Sequence, residues 1–98
     1  MKGDPPRLSK TECNILSQLI GQEKYGLELV ADSDGLLGRN TVYVLLGRME
    51  DKNLIEGREV PAPAGESGPP RRQYKVTAHG RCALHAHGAW MDAWRVAR

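Results

Sequence analysis

Arg39, Asn40 and Thr41 stand directly before a run whose apolar residues recur at helical spacing. An arginine can donate two parallel hydrogen bonds to a guanine edge, an asparagine can do the same for adenine, and a threonine hydroxyl reaches a base or a phosphate. With Gly38 as the helix N-cap, all three fall in the first turn, beside backbone N–H groups at the positive end of the helix dipole. That chemistry suits nucleic acid. Tyr43 lies one position off the buried stripe, where its hydroxyl bonds a phosphate or its ring packs against the preceding helix. Arg48 is placed further along for a DNA-backbone contact or for solvent. A second basic pair, Arg71 and Arg72, follows a bend stiffened by Pro69 and Pro70. It can grip phosphates or enter a minor groove; the plain alternative is a solvated charge pair on a hairpin.

A different set lies near the C-terminus: His79, Cys82, His85 and His87. On a helix only His79 with Cys82, and Cys82 with His85, are neighbours, and His87 points away from the others. One helix thus offers two or three ligands where zinc takes four, so no metal and no cofactor is expected. No nucleophile–base constellation and no phosphate loop is present, and the chain does not read as an enzyme. Trp90 and Trp94 stand one helical turn apart with Ala86 one turn before them. They read first as the core of a subunit interface, and a flat aromatic molecule could slot between such rings across a two-fold axis.

The 98 residues make one domain with a modest core, too small for a deep enclosed site. A net charge of +2 is small, so the argument for nucleic acid rests on where the basic residues sit. Phe is absent, leaving the core to Leu, Ile, Val, Met, Ala and Trp. No stretch is long and apolar enough to span a bilayer, and no signal-peptide core follows Met1. Cys13 and Cys82, far apart in expected helices, fit reduced thiols, and a cytoplasmic protein without a membrane partner is expected.

The elements follow from periodicity. Residues 1–7 form a charged, proline-bearing tail. Ser9 with Glu12 makes a capping box for a helix carrying Ile15, Leu16, Leu19 and Ile20 on one face and ending near Gly21. A second helix runs from Tyr25 to Ala31, and Asp32-Ser33-Asp34-Gly35 is a loop of turn formers. Val42, Leu45, Leu46 and Met49 form the buried stripe of a third helix, which stops at Lys52-Asn53 because asparagine tolerates a left-handed backbone. Residues 54–60 and 71–76 read as strands flanking the Pro- and Gly-rich 61–70, a β-hairpin with a protruding tip. Thr77 caps a final helix from Ala78 to about Ala97. One stripe of it holds Cys82, Ala83, Ala86, Trp90, Ala93, Trp94 and Ala97, with Leu84 and Met91 opposite; two apolar sides need two surfaces to cover them. Gly80 and Gly88 should each cost that helix about 1 kcal/mol against alanine. The fold class expected is mainly α with a small β-hairpin: a winged helix-turn-helix over 8–76 and a dimerisation helix over 77–98.

Together these motifs resemble the PadR family of winged-helix transcriptional regulators, in its short form with a single C-terminal helix. The resemblance covers about residues 8–84. It rests on Leu8-Ser9 with Glu12 and Ile15-Leu16, then Tyr25-Gly26 with Glu28-Leu29. It continues through Asn40-Thr41-Val42-Tyr43, Leu46, Arg48-Met49-Glu50 and Leu54-Ile55. The most specific part is Gly68-Pro69-Pro70-Arg71-Arg72 with Tyr74, Thr77 and Gly80. The resemblance implies a homodimeric repressor that binds double-stranded DNA, with the third helix in the major groove, the hairpin near the backbone or minor groove, and release by a small aromatic effector. Three residues depart from the pattern: Leu27 stands where an aromatic is usual, Gly47 interrupts the third helix, and Gln73 replaces a common tyrosine. A winged-helix module that binds protein and not DNA is the alternative that the small net charge and Gly47 leave open.

Overall fold

The computed structural model describes residues 8–61 and 71–97, with side chains as far as Ala89. The expected N-terminal tail, the hairpin tip with Gly68-Pro69-Pro70, and the Trp90 and Trp94 side chains lie outside the described residues.

The first helix, α1 (Lys10–Leu19), opens on the expected capping box. Ser9 Oγ accepts from the Glu12 amide at 3.2 Å, and Glu12 Oε1 accepts from the Ser9 amide at 3.0 Å. The helix ends before Gly21, whose left-handed φ of 81° turns the chain sharply. A two-residue strand, β1 (Lys24–Tyr25), and a short helix, α2 (Gly26–Ala31), follow. The expected second helix thus begins one residue late, because Lys24 and Tyr25 pair with a strand distant in sequence.

Between α2 and the next helix, Ser33 is buried: its hydroxyl donates to the Val30 carbonyl at 2.8 Å and accepts from the Leu37 amide at 3.0 Å. That brings Leu37 into the core. The helix α3 (Val42–Asp51) has Thr41, not Gly38, at its N-cap. Gly38 starts a turn, its carbonyl accepting from the amides of Thr41 (3.3 Å) and Val42 (3.0 Å), and Arg39, Asn40 and Thr41 occupy that turn and not the helix's first turn. Asparagine and threonine favour turn conformations over helix, and Thr41 caps α3 without a side-chain hydrogen bond. Val42, Leu46 and Met49 are fully buried, while Leu45 is half-buried.

At the far end of α3, Asn53 takes the left-handed conformation with φ 63°. The Leu54 amide donates back to Met49 and the Asn53 amide to Glu50, each at 2.9 Å, closing the helix in a Schellman arrangement. The chain leaves as β2 (Ile55–Val60), antiparallel to β3 (Arg71–Val76) from Ile55 opposite Val76 to Val60 opposite Arg71. The small β1 pairs on the other side of β3, so the sheet order is β1-β3-β2 and β3 is central.

The last helix, α4 (Ala78–Ala97), is capped by Thr77, whose Oγ1 accepts from the Gly80 amide at 2.9 Å. The same hydroxyl lies 2.6 Å from the Asn53 carbonyl and 3.1 Å from that of Leu54. Gly80 is buried, and a Cβ there would collide with the Leu54 carbonyl oxygen. The glycine that looked like a helix penalty is what lets α4 approach the α3–β2 corner. Its proximity decides which side of α4 faces inward. Ala83 is 3% exposed in the domain's own core, and Leu84 packs against that core. The sequence-based division, with Ala83 on an outward stripe and Leu84 opposite, is therefore corrected: both face the domain, Ala86 is half-buried, and Cys82 is exposed.

Gly80→Ala forces the corner apart, and overpacking of this kind costs about 1–3 kcal/mol or more. A denaturant melt should show that loss, whereas Gly88→Ala, with nothing within 4 Å of the added carbon, should not lower stability.

Glu12 generates a second expectation. It is buried, and Lys52 Nζ reaches its Oε2 at 2.8 Å, tying the start of α1 to the end of α3. Burial alone would raise its pKa, but the hydrogen bonds from Lys52 and Ser9 and the lysine charge outweigh it, so the carboxyl sits below its ordinary value. A depressed folded-state pKa contributes stability that is fully present above about pH 5 and lost as pH falls below about 4. Thermal melts between pH 7 and 3 should therefore show a loss on acidification that is smaller in Glu12→Gln.

Candidate nucleic-acid interface

Packing of Val42, Leu46 and Met49 against the core turns the opposite side of α3 to solvent. That side carries Tyr43, Val44, Arg48 and Asp51, all exposed, with Gly47 half-buried between them. Arg39, Asn40 and Thr41 are exposed at its N-terminal end. Five of the sequence-predicted residues, Arg39, Asn40, Thr41, Tyr43 and Arg48, are thus exposed on α3 or in the turn that leads into it.

Of the two sequence-based readings of Tyr43, the structure bears on the packing one. Its ring lies over Gly26 at the start of α2, where a Cβ would sit 2.6 Å from Tyr43 Cε1. The side chain nevertheless remains 49% exposed. Gly26 is the contact that sets the α2–α3 approach at this point, and the phenol end of Tyr43 lies against it.

The wing arginines are treated differently from each other. Successive strand residues point to opposite faces. Arg72 shares a face with Tyr74, its guanidinium carbon 5.9 Å from the ring centroid, while Arg71 lies 5.7 Å from the Tyr25 ring on β1. The pair expected to act together is split across the sheet. Arg72 is tied to α3: its Nη2 donates to Glu50 Oε2 at 2.8 Å, and that oxygen also accepts from the Gly57 amide at 3.2 Å. Gly57 makes room for this, since a Cβ there would lie 2.7 Å from Arg72 Nε. The Glu50 hydrogen bond holds the Arg72 pKa up, so the group is permanently charged. Burial, with the Glu50 charge beside it, pushes the Tyr74 phenol up despite the opposing arginine, so it stays neutral. The base of the wing and the last turn of α3 form one connected surface.

Periodicity missed three contributors. Val44 is apolar, off the buried stripe and 58% exposed; its place outside the stripe was visible in the sequence. Glu50 lies next to buried Met49, and its tie to Arg72 joins residues 22 apart in the chain. Tyr25 enters only through β1, which is too short for a periodic signal.

On α4, His79, Cys82 and His85 are exposed, and half-buried His87 turns Nδ1 toward the Leu8 amide at 3.4 Å. Among the described residues no three His, Cys, Asp or Glu side chains are grouped to hold a metal ion. Burial, with the Glu12 charge second, pushes the Cys13 thiol up, which disfavours a reactive thiolate. Among the described residues no helix is long and apolar enough to cross a membrane.

A short helix, a turn, an outward-facing third helix and a hairpin tied to its end define a winged helix-turn-helix protein. A family model, the transcriptional regulator PadR-like family, matches residues 15–86. The chain belongs to that family, whose members are transcriptional regulators and not enzymes.

Among solved structures it is similar to a PadR family transcription regulator from Clostridium difficile R20291, at 27% identity and TM-score 0.66, over 90% of each chain. A PadR family transcriptional regulator from Eggerthella lenta DSM 2243 matches at 27% identity and TM-score 0.73, over 88% of this chain and 75% of that one. The circadian clock associated protein Pex from Anabaena matches at 26% identity and TM-score 0.61, over 97% and 89%. No curated protein matches the sequence.

The Glu50–Arg72 pair is partly exposed, and pairs of that kind contribute about 0.2–1 kcal/mol to folding. A double-mutant cycle with Glu50→Ala and Arg72→Ala should give a folding coupling within that range. A larger coupling would make the pair a stability element and not a positioning one.

Proposed function

We propose that the chain is a sequence-specific DNA-binding repressor that acts in the cytoplasm as a homodimer on an inverted repeat. The observation that carries this reading is the outward surface of α3, with Arg39, Asn40 and Thr41 at its tip, Tyr43 and Arg48 along it, and Arg72 joined to its last turn through Glu50. In this reading the tip enters the major groove, where Arg39 and Asn40 meet base edges and Thr41 a base or phosphate. Tyr43 and Arg48 hold the DNA backbone, and the wing, through Arg72 and Arg71 on its two faces, reaches phosphates or the minor groove. Residues 8–76 read DNA, and 77–98 join two copies.

The dimer follows from α4. At 1.5 Å per residue its 20 residues run about 30 Å, and among those with described side chains the buried ones are Gly80 and Ala83, in the first two turns. The remainder carries Ala86, Trp90 and Trp94 at one-turn spacing, the sequence of a seam. A small aromatic effector between the tryptophans of two subunits would release the DNA by altering that seam.

Salt-dependent binding tests the DNA reading. Affinity for random duplex should fall steeply as salt rises, since each neutralised phosphate releases a counterion. On a selected site Arg39→Ala should cost about 1–3 kcal/mol and relax preference at one base pair. Arg72→Ala should weaken all sequences alike and flatten the salt slope. No binding at low salt would favour a protein-binding module.

Sedimentation tests the seam. Removing a packed indole costs about 3–5 kcal/mol, and Trp90→Ala with Trp94→Ala should give a helical monomer with weak operator binding. A double mutant that sediments as a dimer would place the seam elsewhere and remove the effector site with it.

A further inference from the structure

Val44 is the most exposed of the described large hydrophobic side chains on α3, and no packing of the domain uses it. Isolated surface valines are ordinary. This one has a neighbour that makes it unusual: Gly47, one turn on, with nothing within 4 Å of where its Cβ would stand. Gly26, Gly57 and Gly80 each answer to an atom they would otherwise strike; Gly47, like Gly88 on α4, answers to none among the described residues. A mid-helix glycine lowers helix stability, so this one weakens α3 without any internal packing gain. Side by side at helical spacing, the two residues form a step on the outward surface: bare backbone at Gly47, two methyl groups at Val44. A flat object can approach the helix axis over the glycine and rest on the valine. Arg48, one turn beyond Val44, and Arg39, before the helix, bracket the step with positive charge. Asp51 closes the same line, which confines any approach of phosphates to the stretch before it.

Among the groups that base pairs present in the major groove, donors and acceptors would be left unpaired against valine. The C5-methyl group is the apolar one. We infer that Val44, with the clearance left by Gly47, reads the C5-methyl group of a pyrimidine, thymine in ordinary DNA, at one position of each half-site. This rests on the DNA-binding reading and adds a specificity-determining contact to it. The same methyl is carried by 5-methylcytosine, so the contact has two sources that experiment must separate.

The test uses the full chain. Duplexes are selected from a random pool, the enriched sequence is resynthesised, and each dT is replaced in turn by deoxyuridine, which lacks only the methyl. One dT per half-site should lose roughly fourfold in affinity, the value of one buried methyl group. Val44→Ala, which keeps the exposed helix intact, should discriminate dT from deoxyuridine at that position less than the wild type does. Placing 5-methylcytosine there should recover the methyl contact but lose whatever hydrogen bonds read the rest of the T·A pair; recovery of full affinity would mean that the methyl alone is read. Equal affinity for dT and deoxyuridine at every position of the wild-type site, or undiminished discrimination by Val44→Ala, overturns the inference and leaves DNA binding standing. A pool from which no duplex is enriched overturns the DNA reading itself and assigns the Val44 surface to a protein partner.

Discussion

The corner at Asn53 and Leu54 is the constraint on which the rest of the molecule depends. There α3 ends, β2 begins, and α4 docks on the backbone between them. The left-handed Asn53 directs the exit of the chain, and the amides of Asn53 and Leu54 close the last turn of α3. The Leu54 carbonyl then takes a hydrogen bond from the Thr77 amide at 3.1 Å, and Gly80 sits against it without a side chain. Helix, wing and terminal helix are therefore oriented by one short segment of backbone. Backbone hydrogen bonds and a steric contact bend little, so the wing, which the Glu50 contacts also tie to α3, presents residues at a defined angle to that helix.

Electrostatic ties add position more than stability. Lys52 reaches from the end of α3 to the capping carboxylate of α1, so one carboxylate serves both a helix start and a tertiary contact. Glu50, two residues earlier, does the analogous work on the other side, fixing Arg72 and the Gly57 amide. Neither cation is deeply buried, so the gain in folding free energy is small. What such pairs limit is the range of orientations open to a long side chain. For an arginine facing a polyanion, an acidic partner also sets a threshold: the phosphate must compete with Glu50, which disfavours indiscriminate binding.

The proposed DNA-facing surface contrasts with the core. Inside, Ile15, Leu16, Leu29, Leu46 and Met49 form an aliphatic core to which Tyr74 adds an aromatic ring, in a chain that lacks Phe. Outside, α3 keeps an exposed tyrosine and valine and an unused glycine, choices that stability alone does not favour. Departures of local sequence from what a helix prefers are expected where a surface serves a partner. Leu27, exposed near the start of α2 in place of the usual aromatic of the family, is a departure of the same kind that no contact in the structure explains.

Most of the architecture was legible in the sequence because it rests on local chemistry. The Ser9–Glu12 capping box, the left-handed Asn53, the Thr77 cap and the apolar stripe of α3 each depend on residues within a turn or two of one another, and each stands as read. The start of α3 was read too early because a turn of Gly, Arg, Asn and Thr and a helix start use similar residues, and only the backbone bonds distinguish them. What tertiary structure alone decided involves partners distant in the chain: β1 exists because Lys24 and Tyr25 meet Tyr74 and Gln73. Arg71 and Arg72 part because a strand alternates its faces and each face offers a different tyrosine. Ala83 turns inward because Gly80 lets α4 settle on Leu54, a collision that no periodicity within α4 records. Periodicity carries which side of an element is apolar; which of two apolar sides meets its own domain is set by steric contact between backbones distant in sequence.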